Sequence, residues 1–361
     1  VVSIPLPVEL VKSNIGQTLG LPGSDRLRKQ KWVTMQDVAR RARVGKITVS
    51  RVIRTPEKVA TTTRERVQAA IQDLGYVPDE TAGALSSSRS RVIGALVSTL
   101  SDSVFASTID GLSRTLRRSG YELLLTNTDY DPEIEEEALR TLLGRRPDGL
   151  VLTSTSHTEA MHRLIRASNV PVVEIWQMPR DPIDYVVGFS NYNAGLRITQ
   201  YLIEKSYRKI AFIGGDRQHD IRGQRRAEGY ADALRQAGLG QPLLTLGSPV
   251  DMPDVAFGAA SLNRALESWP DLDAVVCVSD PVAMGVICEA NRRQLAIPDR
   301  LAVTGFGGLQ LTYASALNLT SVEFPGEEIG VRAAEILLEP DDHQDNKVHD
   351  LGFRLAIRAT T

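Results

Sequence analysis

The sequence predicts a chain in two parts, an all-α helix-turn-helix module ahead of a larger α/β core of two doubly wound lobes. Three observations carry that prediction. Residues 33–53, VTMQDVARRARVGKITVSRVI, show two short helical periods separated by a tight turn. Basic residues crowd this segment, although the net charge of the chain is only -2. From Val92 onward, short apolar runs rich in branched residues alternate with amphipathic stretches of helical period.

The first helix is expected over 35–41, with Val38, Ala39 and Ala42 facing one side. A turn follows at Arg43, Val44 and Gly45, and a second helix opens at Lys46 with Val49 and Ile53 inward. Helices joined by so short a turn need a small residue where they cross, and Ala39 supplies it. Lys46, Ile47, Thr48, Ser50 and Arg51 remain outward. Such side chains donate to base edges and phosphates, and Ile47 suits a thymine methyl. A solvated surface hairpin would show the same period, so charge must separate the two readings. Between residues 26 and 66, thirteen Lys and Arg face only Asp37, Glu57 and Glu65, which leaves the rest of the chain acidic. That asymmetry suits a phosphate-binding module attached to a non-binding body.

A third helix is expected over 62–74, capped by Thr61 or Thr62, with Val67, Ala70, Ile71 and Leu74 inward and Gly75 as its stop. Residues 32–78 therefore form the DNA-binding module, and 79–90 a linker whose DETAGALSSS run has no core of its own. Residues 1–31 carry Pro5, Pro7 and Glu9 inside what would be an apolar core, so they do not read as a secretion signal. They read as a disordered extension, or as an upstream start.

Residues 91–361 form the core. VIGALVST, YELLLTN, GLVLTS, PVVEIW, KIAFIGG, AVVCVS and LAVTGF are expected as buried parallel strands, being apolar on both faces. Helices over 105–119, 134–143, 195–205 and 228–237 fall between them. Two doubly wound lobes leave a cleft outside the carboxyl ends of their strands, the place to look for a ligand. No apolar run reaches membrane-spanning length. There is no P-loop or GxGxxG turn, and the five histidines lack metal-ligand spacing, so no catalytic residue, cofactor or metal is expected. Cys277 and Cys288 read as small hydrophobes in a reducing compartment.

The segment 33–53, followed by EKVATTTRERVQAAIQDLGYVPD, resembles the DNA-binding module of the LacI family of bacterial repressors, and the likeness runs from Trp32 to about Gly352. VFASTIDGL, YDPEIEEEALRTLL, DGLVLTSTSHT, VPVVEIW, VVGFSN and HDLGF are most similar to repressors of gluconate utilisation. Two positions depart from the family. Arg43 stands where the turn usually has Gly, at a cost on the order of 1 kcal/mol for positive φ, and Arg54 stands where Asn is common.

The resemblance implies a hinge helix within 79–90 that joins the helix-turn-helix domain to a periplasmic-binding-protein-like core. This helix orders on operator DNA, with Ala82 one turn before Leu85, the residue pushed into the minor groove. Lys46, Ile47 and Arg51 become the base readers, with Thr34, Thr48 and Ser50 beside them on the DNA. The chain is expected to cross between lobes near Phe189, Gly307 and Val322. That gives an N-subdomain of 91–188 and 308–321 and a C-subdomain of 189–307 and 322–361.

Arg226, which begins RAEGY, matches the arginine the family projects into its effector cleft, and Asp280 the acid that accepts from sugar hydroxyls. By position alone Asp280 serves equally as a helix cap. Phe105, Thr153, His157, Glu174 and Asn191 complete the candidates, near strand ends or crossings. The family's GFDD appears as Gly305-Phe306-Gly307-Gly308, a loss of negative charge in the direction an anionic effector requires.

The reading is therefore a cytoplasmic, nucleoid-associated homodimeric repressor, not an enzyme and not membrane-bound. It binds palindromic operator DNA and a small sugar or sugar-acid effector. A solute-binding protein shares the two-lobed body, but the missing secretion signal and the basic module argue against it. A sugar-processing enzyme finds no nucleophile here. Leu85→Ala is expected to lose DNA bending and specificity more than non-specific affinity, as measured by competition binding at fixed salt.

Overall fold

The computed structural model describes residues 32–78, 89–99, 105–154, 157–214, 220–240, 243–246, 254–314, 317–343 and 345–361. Contacts divide the chain into two units at Gly83.

Among its described residues the first unit holds three α-helices, α1 (Met35–Ala42), α2 (Lys46–Arg54) and α3 (Thr61–Leu74). Val38, Ala39, Ala42, Val49, Val52, Val67, Ala70 and Tyr76 form its core. Val52 is buried where Ile53 was expected, and Ile53 packs half-buried beside it, since positions three and four beyond Val49 straddle the core direction. Arg43 does adopt the left-handed conformation, φ 54°, and closes α1 through its N–H. Neither Thr61 nor Thr62 caps α3. Ala60 takes the cap position and no side chain closes that first turn.

The second unit contains two six-stranded sheets. The first lobe begins with β1 (Val92–Val97), α4 (Ala106–Arg118), β2 (Glu122–Asn127), α5 (Pro132–Leu143), β3 (Gly149–Leu152), α6 (Glu159–Ser168), β4 (Val172–Ile175) and β5 (Tyr185–Gly188). The second lobe follows with α7 (Asn191–Glu204), β6 (Ile210–Gly214), α8 (Ile221–Gln236), β7 (Leu243–Leu246), α9 (Val255–Ser268) and β8 (Ala274–Cys277). It continues through α10 (Asp280–Arg292), β9 (Ala302–Phe306), α11 (Gln310–Ala314) and β10 (Thr320–Glu323). The chain then returns to the first lobe with α12 (Gly326–Leu338) and β11 (Val348–Asp350), and ends in the second with β12 (Arg354–Ala356).

The sheet orders are β11-β5-β4-β3-β1-β2 and β12-β10-β9-β8-β6-β7, and every pairing is parallel except that of β10 with β12. All seven expected runs are strands. The strands not anticipated, β5, β7, β10, β11 and β12, are three or four residues long, too short to show a period. Helix α8 starts at Ile221 rather than 228, because Asp220 caps it and Gly223 and Gly229 hide its pattern.

The crossings also differ from expectation. The first does follow Phe189. The second comes after Glu323 and the third after Asp350, not near Gly307 and Val322. Gly307 only turns the chain within its own lobe, where its N–H bonds to the Val322 carbonyl and β10 pairs with β9. Residues 308–321 thus belong with the second sheet and 326–350 with the first.

Three helix pairs cross on reciprocal glycines, namely Gly111 with Gly330, Gly195 with Gly229, and Gly258 with Gly285. A Cβ at any of them would overlap backbone of the facing helix. Gly229→Ala would drive a methyl into the Tyr192 carbonyl and the Leu196 N–H, neither of which can rotate away. It is expected to destabilise by about 1–3 kcal/mol or more, seen as a lowered melting temperature.

Candidate nucleic-acid interface and ligand cleft

The DNA-facing surface depends on how its helices begin. Thr34 and Asp37 form a capping box on α1, with the Asp37 N–H donating to Thr34 Oγ1 at 3.3 Å and the Thr34 N–H to Asp37 Oδ2 at 3.0 Å. Helix α2 has no such closure. Gly45 precedes it, no acid sits in its first turn, and Lys46 places a cation there. Against the helix dipole this costs about 0.3–1 kcal/mol, and an arriving phosphate reverses the sign. Lys46, Ile47 and Arg51 are exposed, with Thr48 and Ser50 half-buried beside them. Ile47 is 72% exposed, which leaves its apolar side chain available on the outward face of α2. Ala82 and Leu85 lie outside the described residues.

In the core, the strand order reverses at β1/β3 and at β6/β8, the switch points where open α/β sheets receive ligands. Ser98 follows β1 and Thr153 follows β3. The Ser98 N–H donates to Thr153 Oγ1 at 2.8 Å, and the two hydroxyl oxygens lie 2.9 Å apart. Arg222, in the first turn of α8, reaches this point from the other lobe. Its Nη1 donates to the Thr153 carbonyl at 3.1 Å, and its Nη2 to Ser98 Oγ at 3.2 Å and Tyr130 Oη at 3.3 Å. The guanidinium carbon stands 5.1 Å from the Phe105 ring, which packs on Trp176 at 4.5 Å.

A second group forms at the first crossing. Asn191 donates to the Trp176 carbonyl at 2.9 Å and to Gln177 Oε1 at 2.7 Å, while its own oxygen accepts from Arg226 Nε at 2.8 Å. Arg226 Nη1 donates to the Val278 carbonyl, just past β8, at 2.7 Å. Its guanidinium lies 3.4 Å from the Phe306 ring centre. Trp176 sits at φ 76°, where a bulky residue carries strain on the order of 1–3 kcal/mol. Its indole N–H, donating to Thr108 Oγ1 at 3.0 Å, helps hold it there.

Asp280 belongs to a network of its own. It is fully buried, with Oδ2 accepting from the Leu309 N–H and Oδ1 from Ser321 Oγ, each at 2.7 Å. It follows the cap residue Ser279 and makes no cap. Burial pushes its carboxyl up, and the bonds from Ser321, Leu309 and Thr312 oppose that shift.

His157 and Glu174 are brought together, with Glu135 as a third member that sequence reasoning missed. His157 Nδ1 lies 3.2 Å from Glu135 Oε2, and Nε2 lies 3.7 Å from Glu174 Oε1. Burial alone would lower the imidazole, but hydrogen bonds and charge from the two carboxylates overcome it and raise the pKa to about 9. Among the described residues no cluster of His, Cys, Asp or Glu is placed to hold a metal, and no helix is long and apolar enough to cross a membrane.

Arg222 also escaped the sequence reading. It lies one helical turn before Arg226, so the two share a face of α8, but the expected helix began beyond both.

A basic helix-turn-helix on the same chain as a two-lobed cleft defines a DNA-binding transcriptional regulator with a ligand-binding core. Residues 34–79 match the model of bacterial regulatory proteins of the lacI family, and residues 90–353 that of periplasmic binding proteins and the sugar binding domain of the LacI family. The chain belongs to the LacI family of bacterial transcriptional regulators.

It is similar to the regulator IdnR of Escherichia coli K12, at 34% identity over 90% of this chain and 97% of that one. It is also similar to the regulator GntR of Pseudomonas aeruginosa, at 36% identity over 91% and 95%. A LacI family regulator from Silicibacter pomeroyi superposes with a TM-score of 0.84 at 30% identity, covering 91% of this chain and 99% of that one. GntR from Chromobacterium violaceum gives 0.71 at 36% identity, covering 74% and 98%. The lac repressor dimer bound to operator shares the fold, with a TM-score of 0.78 at 22% identity over 92% and 99%.

The raised His157 pKa has a stability consequence. The contribution is fully present below the unfolded value near 6.5 and is lost as pH rises through about 9. His157→Gln is expected to melt lower than the parent at pH 6, by on the order of 2–3 kcal/mol, with the gap narrowing toward pH 10. Paired melting curves across that range check it.

Proposed function

We propose that this protein is a homodimeric repressor of sugar-acid catabolism genes, acting in the cytoplasm on the nucleoid and controlled by a gluconate-type effector held between its lobes. The observation that carries the DNA half is the outward face of α2, where Lys46, Ile47 and Arg51 stand exposed without an acidic residue in the helix. In this reading these three read base edges in a palindromic operator, while Thr34, Thr48 and Ser50 serve the backbone, and Leu85, with Ala82 one turn before it, wedges the minor groove. The effector lies at the switch points against Phe105, Thr153, Asn191 and Arg226. His157, Glu174 and Asp280, each in a buried network, support the loops around it. A ligand that binds the closed lobes more tightly shifts the dimer between operator-competent states.

The test is fluorescence anisotropy of labelled DNA from upstream of the protein's own gene, with and without D-gluconate at constant salt. Binding released by the sugar acid is expected. Tighter binding with gluconate would make it a corepressor, and no binding to any promoter fragment would overturn the reading. Arg51→Ala is expected to weaken specific binding by about 1–3 kcal/mol, roughly 5- to 150-fold, and to relax specificity at one base pair.

A further inference from the structure

We infer that Arg222 is the carboxylate-binding residue of the cleft and the one that makes the site select a sugar acid over a neutral sugar. The inference deepens the proposed sugar-acid reading and rests on it.

Arg222 is only 6% exposed, yet its partners are one carbonyl and two hydroxyls, and no carboxylate lies within salt-bridge distance of it among the described residues. The nearby Asp220 is committed to capping α8, where it accepts from the Gly223 N–H at 3.2 Å. Two other buried charged groups among the described residues each have partners of the complementary kind. His157 has two carboxylates, and Asp280 has two short hydrogen bonds. A buried guanidinium balanced by neutral oxygens alone is costly, and the cost disappears when an anion arrives.

The surroundings fit that anion. Arg222 points at the β1/β3 switch point, where Ser98 and Thr153 present hydroxyls on adjacent strand ends. Ser98 and Tyr130 now accept from the guanidinium. The Ser98 hydroxyl can rotate and donate to a carboxylate lying on the Arg222 fork. Tyr130 is held toward Arg222 from the loop after β2, where Asp129 and Tyr130 take φ 50° and 61°, conformations that non-glycine residues seldom adopt. Phe105 backs the guanidinium and offers an apolar wall to a carbon chain. Arg226, by contrast, is built into the wall by Asn191, the Val278 carbonyl and the Phe306 face, a geometry suited to hydroxyls rather than to the acid group.

The experiment is calorimetric titration of the full chain with D-gluconate and with D-glucitol, its neutral analogue, for the parent and for Arg222→Gln, Arg222→Lys and Arg226→Gln. The parent is expected to prefer gluconate. Arg222→Gln should lose roughly a hundredfold or more in gluconate affinity and bind both ligands alike. Arg222→Lys keeps the charge and should retain part of the preference, which guards against a variant that fails through misfolding. Arg226→Gln should weaken both ligands and keep their ratio. If Arg222→Gln lowers both affinities equally, Arg222 is only a strap between the lobes and the proposal falls. The proposal also falls if the gluconate preference survives in that variant, while the sugar-acid reading stands. A parent that binds glucitol or neutral sugars but not gluconate overturns the reading itself.

Discussion

At Gly111 and Gly330, at Gly195 and Gly229, and at Gly258 and Gly285, the backbones of paired helices touch with no room for a side chain between them. These contacts are the constraint on which the core depends. A parallel sheet buries both faces, so its helices must cover it completely, and the distance between paired helices decides whether they lie flat on the strands. Because α7 and α8 approach so closely, Gly195 of one meets the backbone of Arg226 of the other. The same contact therefore fixes the lobe and positions the cleft arginine. Asn191, at the start of α7, then reaches Arg226 across a short gap, and Arg226 reaches the end of β8.

The cleft that results is unequal in its electrostatics. Along one side the aromatic chain of Phe105, Trp176, Phe324, Phe189 and Phe306 makes an apolar seam between the lobes, with ring centres 4.4 to 6.0 Å apart along the chain. Two guanidiniums from one face of α8 lie against the two ends of this seam, over Phe105 and over Phe306. The buried carboxylates have partners of their own. Asp280 is turned into the Leu309 and Ser321 network, and Glu135 and Glu174 enclose His157. Substituting glycines for the usual acids at Gly307 and Gly308 continues the pattern, and both glycines use positive φ that acidic side chains would strain to adopt.

Much of this was legible in the sequence. Runs apolar on both faces marked the seven central strands, and the basic helical pair marked the DNA-binding module, because burial and charge are written directly in residue type. What stayed hidden depends on long-range partners. Strand β5 is four residues, and β11 pairs with it from the far end of the chain. The crossings were misplaced because Gly307 and Gly308 look like a boundary, while the Gly307 N–H bond to Val322 keeps that turn within one sheet. Glu135 gave no signal, being one acid among four in PEIEEEALRTLL, and only the fold shows which of them turns inward toward His157. Arg222 was lost for a local reason, since Gly223 and Gly229 disguised a helix that its Asp220 cap sustains.

A ligand shifts a conformational equilibrium only by its unequal affinity for the two states, and a full switch needs about a 10⁴-fold preference. Arg222 is well placed to generate such a difference because its three acceptors all belong to the opposite lobe. With the lobes apart, water solvates the guanidinium and the strand-end hydroxyls separately. With the lobes together and no anion, the cation loses that water and gains only neutral oxygens, so closure is opposed by desolvation. A bound carboxylate removes the opposition and adds charge-assisted bonds in a medium where they are strong. A neutral sugar offers only dipoles, which compensate the buried cation less well than an anion does. On the proposed role of Arg222, closure and selectivity for charge come from one buried guanidinium rather than from two separate devices.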